Sequence, residues 1–337
     1  MRFSIQLPTC TEGLVNPVPF ARPEDFVRLA QAAERLGYDA VWGNDHITAA
    51  PYVRAQWSGP PSFYEVLITL ATVGAHTRRV RLGTAVLVLP LRDPVLLAKQ
   101  VATLDQLTGG RVVLALGIGA YREEFDAHWP RRHAARRGDL LDEALGPLRA
   151  LFTERTVSHA GPHYAFEKLE LYPKPVQRPL PIYIGGHNEA AVARAARFGQ
   201  GWLPGWRPFA EVRERTALLR RLTAEAGRDP REVEAAVQFT LVIGRTPEAA
   251  AERYRATGMV QHRRSLAHSG RDPALAEANN LIGSPETVAE KIAFLRAAGV
   301  DHVCALQFPH DTVPEMLEQM EWFARDVMPA FKGASHA

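Results

Sequence analysis

Tyr38-Asp39-Ala40-Val41-Trp42-Gly43-Asn44-Asp45-His46 reads as a short apolar strand that stops at a turn carrying an acid and an imidazole. A buried strand ordinarily ends in Gly, Asn or Ser. Placing Asp45 and His46 side by side at a strand's carboxyl end is costly unless the site uses them. In parallel α/β folds the carboxyl ends of the strands are where chemistry is done. The plainer alternative is a turn in which Asp45 caps a neighbouring group.

Working outward, strand and helix signals alternate along the chain. Phe3 to Leu7 is the first strand. A helix opens at Pro23-Glu24-Asp25, places Phe26, Leu29, Ala30, Ala33 and Leu36 on one face, and stops at Gly37. The strand 39–42 follows, then a helix over 62–75 and a β-rich third strand over 80–89. A helix over 94–107 closes at Gly109-Gly110 before a fourth strand over 112–117 and a helix over 139–152. Residues 156–170 alternate and contain Gly161-Pro162, which predicts an inserted β-hairpin. Ile182-Tyr183-Ile184-Gly185-Gly186 is strand five. A helix over 189–198, a sixth strand at Trp202-Leu203, a helix over 208–226 and a seventh strand over 233–243 come next. A helix over 285–298, an eighth strand over 302–307 and a last helix over 313–331 complete the pattern.

Eight strand-then-helix units in 337 residues predict an α/β fold of the (β/α)8 TIM-barrel type, one domain over 1–337, in preference to a doubly wound sheet. The β-hairpin is an insertion after the fourth helix. Residues 257–282, with His262, Arg263, Arg264, His268 and Asn279-Asn280, have the poorest periodicity and read as a long insertion after strand seven. Such a segment is either a mobile lid over the barrel mouth, open to proteolysis near Arg263 or Arg271, or a surface loop remote from it.

Composition narrows the function. A net charge of +3 gives no footing for nucleic acid, and the basic stretch 131–137 suits a solvated loop and helix start better than a phosphate site. The two cysteines, Cys10 and Cys304, make no disulfide framework. Without C-x-x-C or H-E-x-x-H no metal is expected. No apolar run reaches the ~20 residues of a membrane span, and residues 1–8 lack a signal-peptide core, so the expected location is cytoplasmic. As partners the sequence admits a small-molecule substrate and a second copy as a homodimer, with no nucleic acid and no membrane.

In a barrel, three clusters converge on one mouth: Asp45-His46 after strand two, Gly117-Ile118-Gly119 after strand four, and Gly185-Gly186-His187 after strand five. Gly185-Gly186 lets backbone approach a ligand, and the helix start behind it favours an anion; the alternative is a tight turn with no ligand. Gly117-x-Gly119 lacks the third glycine of a dinucleotide fingerprint, where Arg122 stands. His46 is the histidine expected to act, since an imidazole can exchange protons near neutral pH. His262 and His268 could join it if the insertion folds over the mouth. His76, His128, His133, His159, His163, His310 and His336 suit solvated positions.

Together these residues resemble the luciferase-like superfamily of flavin- and deazaflavin-dependent oxidoreductases. The likeness spans nearly the whole chain. It is carried by Leu82-Gly83-Thr84-Ala85-Val86, the stretch from Asp93 to Gln100, Ala102-Thr103-Leu104-Asp105, Gly109-Gly110-Arg111, Glu123-Glu124-Phe125 and Ile182-Tyr183-Ile184-Gly185-Gly186, in that order and spacing. The branch it resembles most is the coenzyme F420-dependent one. The resemblance implies hydride transfer between F420 and a small organic substrate, with FMN-dependent monooxygenation as the alternative and a non-catalytic flavin-binding barrel as a second. It implies catalytic roles for His46 and Asp45, which would face ring and substrate. Cofactor contacts would come from Asp45, Thr84, Ala85, Val86, Gly117, Gly119, Gly185, Gly186 and His187. Ala85-Val86 matches a third-strand bulge that in many members holds a non-proline cis peptide behind the ring. Three departures stand out. Ala120 replaces the acid of the sugar-phosphate dehydrogenases, Gln200-Gly201-Trp202 replaces the frequent Asp-Gly-Trp, and Asn44 precedes Asp45-His46. They argue against glucose 6-phosphate and against inheriting any substrate.

Overall fold

The computed structural model describes residues 1–56, 59–265 and 272–332. The strands are β1 (Arg2–Leu7), β2 (Ala40–Gly43), β3 (Arg81–Thr84), β4 (Leu87–Val88), β5 (Val112–Gly117), β6 (Val157–Ala160), β7 (Ala165–Leu169), β8 (Ile182–Gly185), β9 (Gly201–Leu203), β10 (Glu234–Ile243), β11 (Leu281–Gly283) and β12 (His302–Gln307). The helices are α1 (Pro23–Arg35), α2 (Pro51–Gln56), α3 (Val66–Ala75), α4 (Pro94–Leu107), α5 (Arg122–His128), α6 (Arg137–Thr153), α7 (Glu189–Phe198), α8 (Phe209–Glu225), α9 (Pro247–Arg255), α10 (Met259–Ser265), α11 (Pro285–Ala297) and α12 (Val313–Asp326).

Parallel pairing runs from β1 through β2, β3, β5, β8, β9 and β10 to β12, and β12 returns to β1. Eight staves close a barrel, with β3 and β4 sharing one of them. The expected TIM barrel is therefore present. The two-residue side-chain period of a strand decides what each stave contributes. In β1, Phe3, Ile5 and Leu7 face the helices, and Ser4 and Gln6 alternate with them. In β10, Ala235, Val237, Phe239, Leu241 and Ile243 join the same outer core. The inner cluster is smaller and includes Ala40, Trp42, Val113, Ala115, Tyr183, Ala236 and Cys304. Below it, Trp42 Nε1 donates to Ser4 Oγ at 2.7 Å, and Ser4 Oγ lies 2.8 Å from His302 Nε2.

Side-chain caps mark the helix starts. Asp93 accepts from Val95 and Leu96 N–H, Ser284 from Thr287 N–H, and Thr312 and Glu315 form a capping box. Because each helix follows a strand, these starts lie at the same end of the barrel as the strand carboxyl ends.

Sequence patterning erred in three respects. The third strand is two pieces, β3 and β4, parted by a cis Ala85–Val86 peptide bond. The cis bond itself is the one the family resemblance implies. Helices α2, α5 and α9 had no signal strong enough to mark them. They are short, and α9 has only Ala250 and Tyr254 buried. The insertion is not an aperiodic loop. It holds α10, a 3-10 turn at Pro273–Leu275, and β11, which extends the upper end of β10 through the pairs Leu241–Leu281, Val242–Ile282 and Ile243–Gly283. The hairpin of β6 and β7 stands where it was expected.

Candidate active site

Beyond the end of β2, Asp45 and His46 go separate ways. Asp45 is buried, and its carboxylate accepts from Val88 N–H at 2.9 Å, Arg92 Nη2 at 2.6 Å and Arg92 Nε at 3.4 Å. Arg92 also lies 3.1 Å from Glu65, whose second oxygen caps α3 by accepting from Ile68 N–H at 2.7 Å. Burial disfavours the Arg92 charge, but its two carboxylate partners more than offset that and push its pKa up. Asp45 thereby ties the end of β2 to β4 and, through Arg92 and Glu65, to the start of α3.

His46 is oriented by a residue that sequence reasoning left without a role. Its Nδ1 lies 3.0 Å from Oε2 of Glu124 on α5. The other Glu124 oxygen accepts from Ile47 N–H at 2.5 Å and Thr48 N–H at 3.3 Å. Burial pushes the Glu124 carboxyl upward, yet the His46 hydrogen bond and charge and these two backbone donors outweigh it, and its pKa is lowered. An acceptor-only carboxylate at Nδ1 assigns the proton there and leaves Nε2 as the ring nitrogen that Glu124 does not engage. The His46 ring lies between Phe63 and Tyr121, at 5.7 and 5.6 Å between centroids. Tyr121 OH is 3.4 Å from His262 Nδ1, so the insertion does bring His262 to this group; His268 lies outside the described residues. The signal for Glu124 was present in Glu123-Glu124-Phe125, but nothing local tied it to a residue 78 positions away.

The remaining expected contacts are distributed as follows. Thr84 Oγ1 donates to Ala115 O at 2.7 Å and accepts from Ala115 N–H at 2.9 Å, stitching β3 to β5 where the ladder breaks. Ala85 and Val86 are half-buried and form an apolar ledge. A Cβ at Gly117 would come within 2.5 Å of Val86 Cγ2, and one at Gly185 within 2.6 Å of Val86 Cγ1. Val86 therefore packs where side chains at Gly117 and Gly185 would stand. Gly186 has a φ of +125°, and its carbonyl accepts from Trp202 Nε1 at 2.8 Å. His187, half-buried, leads to Asn188, which takes the Ala191 N–H of α7 at 2.9 Å. The Gly119 carbonyl accepts from Arg137 Nη1 at 3.0 Å.

Across the mouth stands a polar wall. Gln238 Nε2 donates to Gln6 Oε1 at 2.9 Å and to Ala305 O at 3.3 Å. Arg263, buried on α10, donates to Thr240 Oγ1 at 2.8 Å and Gln307 Oε1 at 2.9 Å, with its Cζ 5.4 Å from the Trp206 ring. Arg263 was expected at an exposed loop tip; it is buried because it bonds the ends of β10 and β12. The insertion is thus not remote from the mouth. Arg271 lies outside the described residues. His310, expected in solvent, is also buried, and burial brings its pKa down to about 4. Cys10 is sealed beneath His46, its thiol near the carbonyls of Asn44, His46 and Tyr64, and burial pushes it up to about 12, out of reach of nucleophilic chemistry. Among the described residues no cluster of His, Cys, Asp and Glu is built to hold a metal, and no helix is long and apolar enough to cross a membrane.

Comparison with known proteins bears on this geometry. A luciferase-like monooxygenase family model matches residues 1–302. An F420-dependent glucose-6-phosphate dehydrogenase of Segniliparus rotundus is 28% identical over 331 residues, covering 92% of this chain and 94% of that protein. An FMNH2-dependent dimethylsulfone monooxygenase of Pseudomonas putida is 28% identical over 357 residues, covering 98% and 94%. Among solved structures, monooxygenase RslO1 of Streptomyces bottropensis has the same fold, with a TM-score of 0.81 at 24% identity over 98% of this chain and 100% of that one. With a match over most of its length and a barrel of the same build, this chain belongs to the luciferase-like monooxygenase family.

Proposed function

We propose that the protein is an oxidoreductase that passes hydride between coenzyme F420 and a small organic substrate. The observation that carries this reading is His46, just beyond the carboxyl end of β2, fixed through Nδ1 by the buried Glu124 so that Nε2 is the nitrogen Glu124 does not engage. That is the arrangement a proton carrier needs: one nitrogen oriented, the other able to exchange.

The residues present suit a flavin-like group. Ala85 and Val86 would support its ring, and Gly186 with the amino-terminal end of α7 would take its phosphate, since a helix start favours an anion even where Asn188 already takes the Ala191 N–H. When bound, such a cofactor supplies the hydride chemistry; the protein supplies orientation and electrostatics. His46 would give or take the proton that accompanies hydride transfer. Glu124 would keep its ring in place, and Phe63 and Tyr121 would keep water from it. Asp45 acts at one remove, through Arg92 and the turn after β4.

The branch resemblance favours F420. The FMN reading has its own support in the dimethylsulfone monooxygenase relative, which is as similar to this chain as the F420-dependent dehydrogenase is. Titrating the purified protein with F420 and with FMN, oxidised and reduced, and following fluorescence decides between them. Saturable F420 binding with weak FMN binding is the expected result. Preference for reduced FMN turns the assignment to a monooxygenase, and binding of neither removes the oxidoreductase reading.

A further inference from the structure

We propose that the polar wall opposite the Ala85–Val86 ledge is a substrate subsite, in which the amide NH2 groups of Gln6 and Gln307 hold a carbonyl or carboxylate oxygen. The inference rests on the oxidoreductase reading and goes beyond it by naming the chemistry of the substrate.

Three observations carry it. The first is orientation. A glutamine amide presents either its oxygen or its nitrogen, and the neighbours decide which. Gln238 Nε2 donates to Gln6 Oε1, and Arg263 Nη2 donates to Gln307 Oε1. Both oxygens are consumed by donors, so both amides turn their nitrogens the other way. The second is vacancy. Among the described residues neither Gln6 Nε2 nor Gln307 Nε2 has a protein partner, and neither is sealed from solvent, although Gln6 is only 4% exposed and Gln307 only 9%. A donor open to solvent holds water, and a ligand oxygen that accepts from both amides can take that water's place. The third is placement. Gln6 is on β1 and Gln307 ends β12, neighbouring staves, and β1 pairs on its other side with β2, from which His46 follows. One oxygen held here leaves the rest of the substrate to reach His46.

The wall selects by sign as well as by geometry. Gln6, Gln238, Thr240, Gln307 and Arg263 include no carboxylate, and Arg263 brings a guanidinium directly behind the Gln307 amide. The pair has donors to offer and no acceptor, so an oxygen with lone pairs only is favoured over a group that must itself donate. A site built to bond an oxygen rejects the analogue lacking it, because its own donors are then left unpaired.

The test uses the full chain, first titrated with F420 and FMN and then saturated with whichever binds, and three size-matched probes: benzoate, acetophenone and toluene. Ligand-observed NMR gives the affinities. We expect benzoate and acetophenone to bind at least tenfold more tightly than toluene. We expect Gln6→Glu and Gln307→Glu, which exchange a donor for an acceptor in nearly the same volume, to weaken benzoate by tenfold or more while cofactor affinity stays within a few fold. Gln307→Met, which removes the donor without adding charge, should abolish the preference for acetophenone over toluene and serves if the Glu variants do not fold. Equal affinity for all three probes, or undiminished benzoate binding in the variants, overturns the proposal. So does a collapse of cofactor affinity in the variants, which gives the amides to the cofactor. Failure of the wild-type protein to bind either cofactor is read in the first titration and counts against the oxidoreductase reading on its own.

Discussion

At the residue scale, the proposed proton transfer depends on which carboxylate serves His46. Asp45 is its neighbour in sequence, yet Glu124 is its partner in space. His46→Ala should leave cofactor affinity within a few fold and lower turnover by roughly 10²–10⁴, the usual worth of a positioned acid or base. Turnover that survives with an unaltered pH profile would show that protons travel elsewhere. Glu124→Gln keeps the volume and an acceptor for Ile47 N–H but removes the charge beside Nδ1. Turnover should fall by about tenfold or more, and the pH profile of kcat should change shape, with cofactor affinity preserved. A loss confined to thermal stability, with the profile intact, would reduce Glu124 to a tie for the loop at 47–48.

At the scale of elements, the join between β3 and β4 is where strand order becomes site shape. Val86 fills the space that the missing side chains of Gly117 and Gly185 leave open. Gly117→Ala should therefore cost about 1–3 kcal/mol by overpacking. In a Val86→Ala background most of that cost should vanish, a coupling readable by urea unfolding of the four proteins in the cycle. Additive costs would mean that Val86 is not what Gly117 accommodates. Gly186 differs, because its φ of +125° strains any side chain whether or not a ligand is near, so a bulky residue there cannot by itself report on phosphate binding. These elements also show what the sequence discloses. Strands β1, β5, β8 and β12 are short apolar runs between turn signals, and helices α1, α4 and α7 carry a periodic face and a start signal, so they could be read directly. The split at Ala85–Val86 could not be read from periodicity, since 80–89 is one continuous β-rich run; only the family resemblance pointed to it. The Asp45–Arg92 and His46–Glu124 pairs could not be read at all, because closure of the barrel brings together residues 47 and 78 positions apart.

For the whole molecule, the buried histidines His302 and His310 predict that stability falls as the solution turns mildly acid. His302, inside the barrel, is held well below the usual imidazole range, first by burial and then by Arg2, Arg81 and the amino terminus. His310 comes down to about 4, through burial and Arg253, with Glu315 opposing. Both are neutral in the folded state where an unfolded imidazole, near 6.5, takes up a proton. The unfolded state then binds more protons, so stability is fully present above about pH 6.5 and declines as pH falls toward the folded values, by up to about 1.4 kcal/mol per pH unit for each group. Urea unfolding between about pH 7.5 and 5 should show this slope, and His310→Leu should remove one group's share of it. A flat profile over that range would mean that neither histidine is neutral only in the fold. The depressed carboxylates, Glu124 among them, add their losses at lower pH.

The extra strand β11 has a consequence for how such enzymes diverge. It pairs with the top of β10, so the chain leaves the barrel at Ile243 and is back beside the same stave at Leu281. Neighbouring strands lie about 4.8 Å apart, so the excursion starts and finishes almost at one point on the rim. Such a segment can be exchanged between homologous barrels as a cassette, without re-registering any of the eight staves. Its seating rests on the three β10–β11 pairs, the bonds of Arg263 to Thr240 and Gln307, the Asn280 and Asn279 side chains that take Thr240 and Phe209 N–H, and the contact of His262 with Tyr121. A recombinant that carries these with the cassette would change the groups beside Gln307 while the His46–Glu124 pair, formed by other segments, is kept.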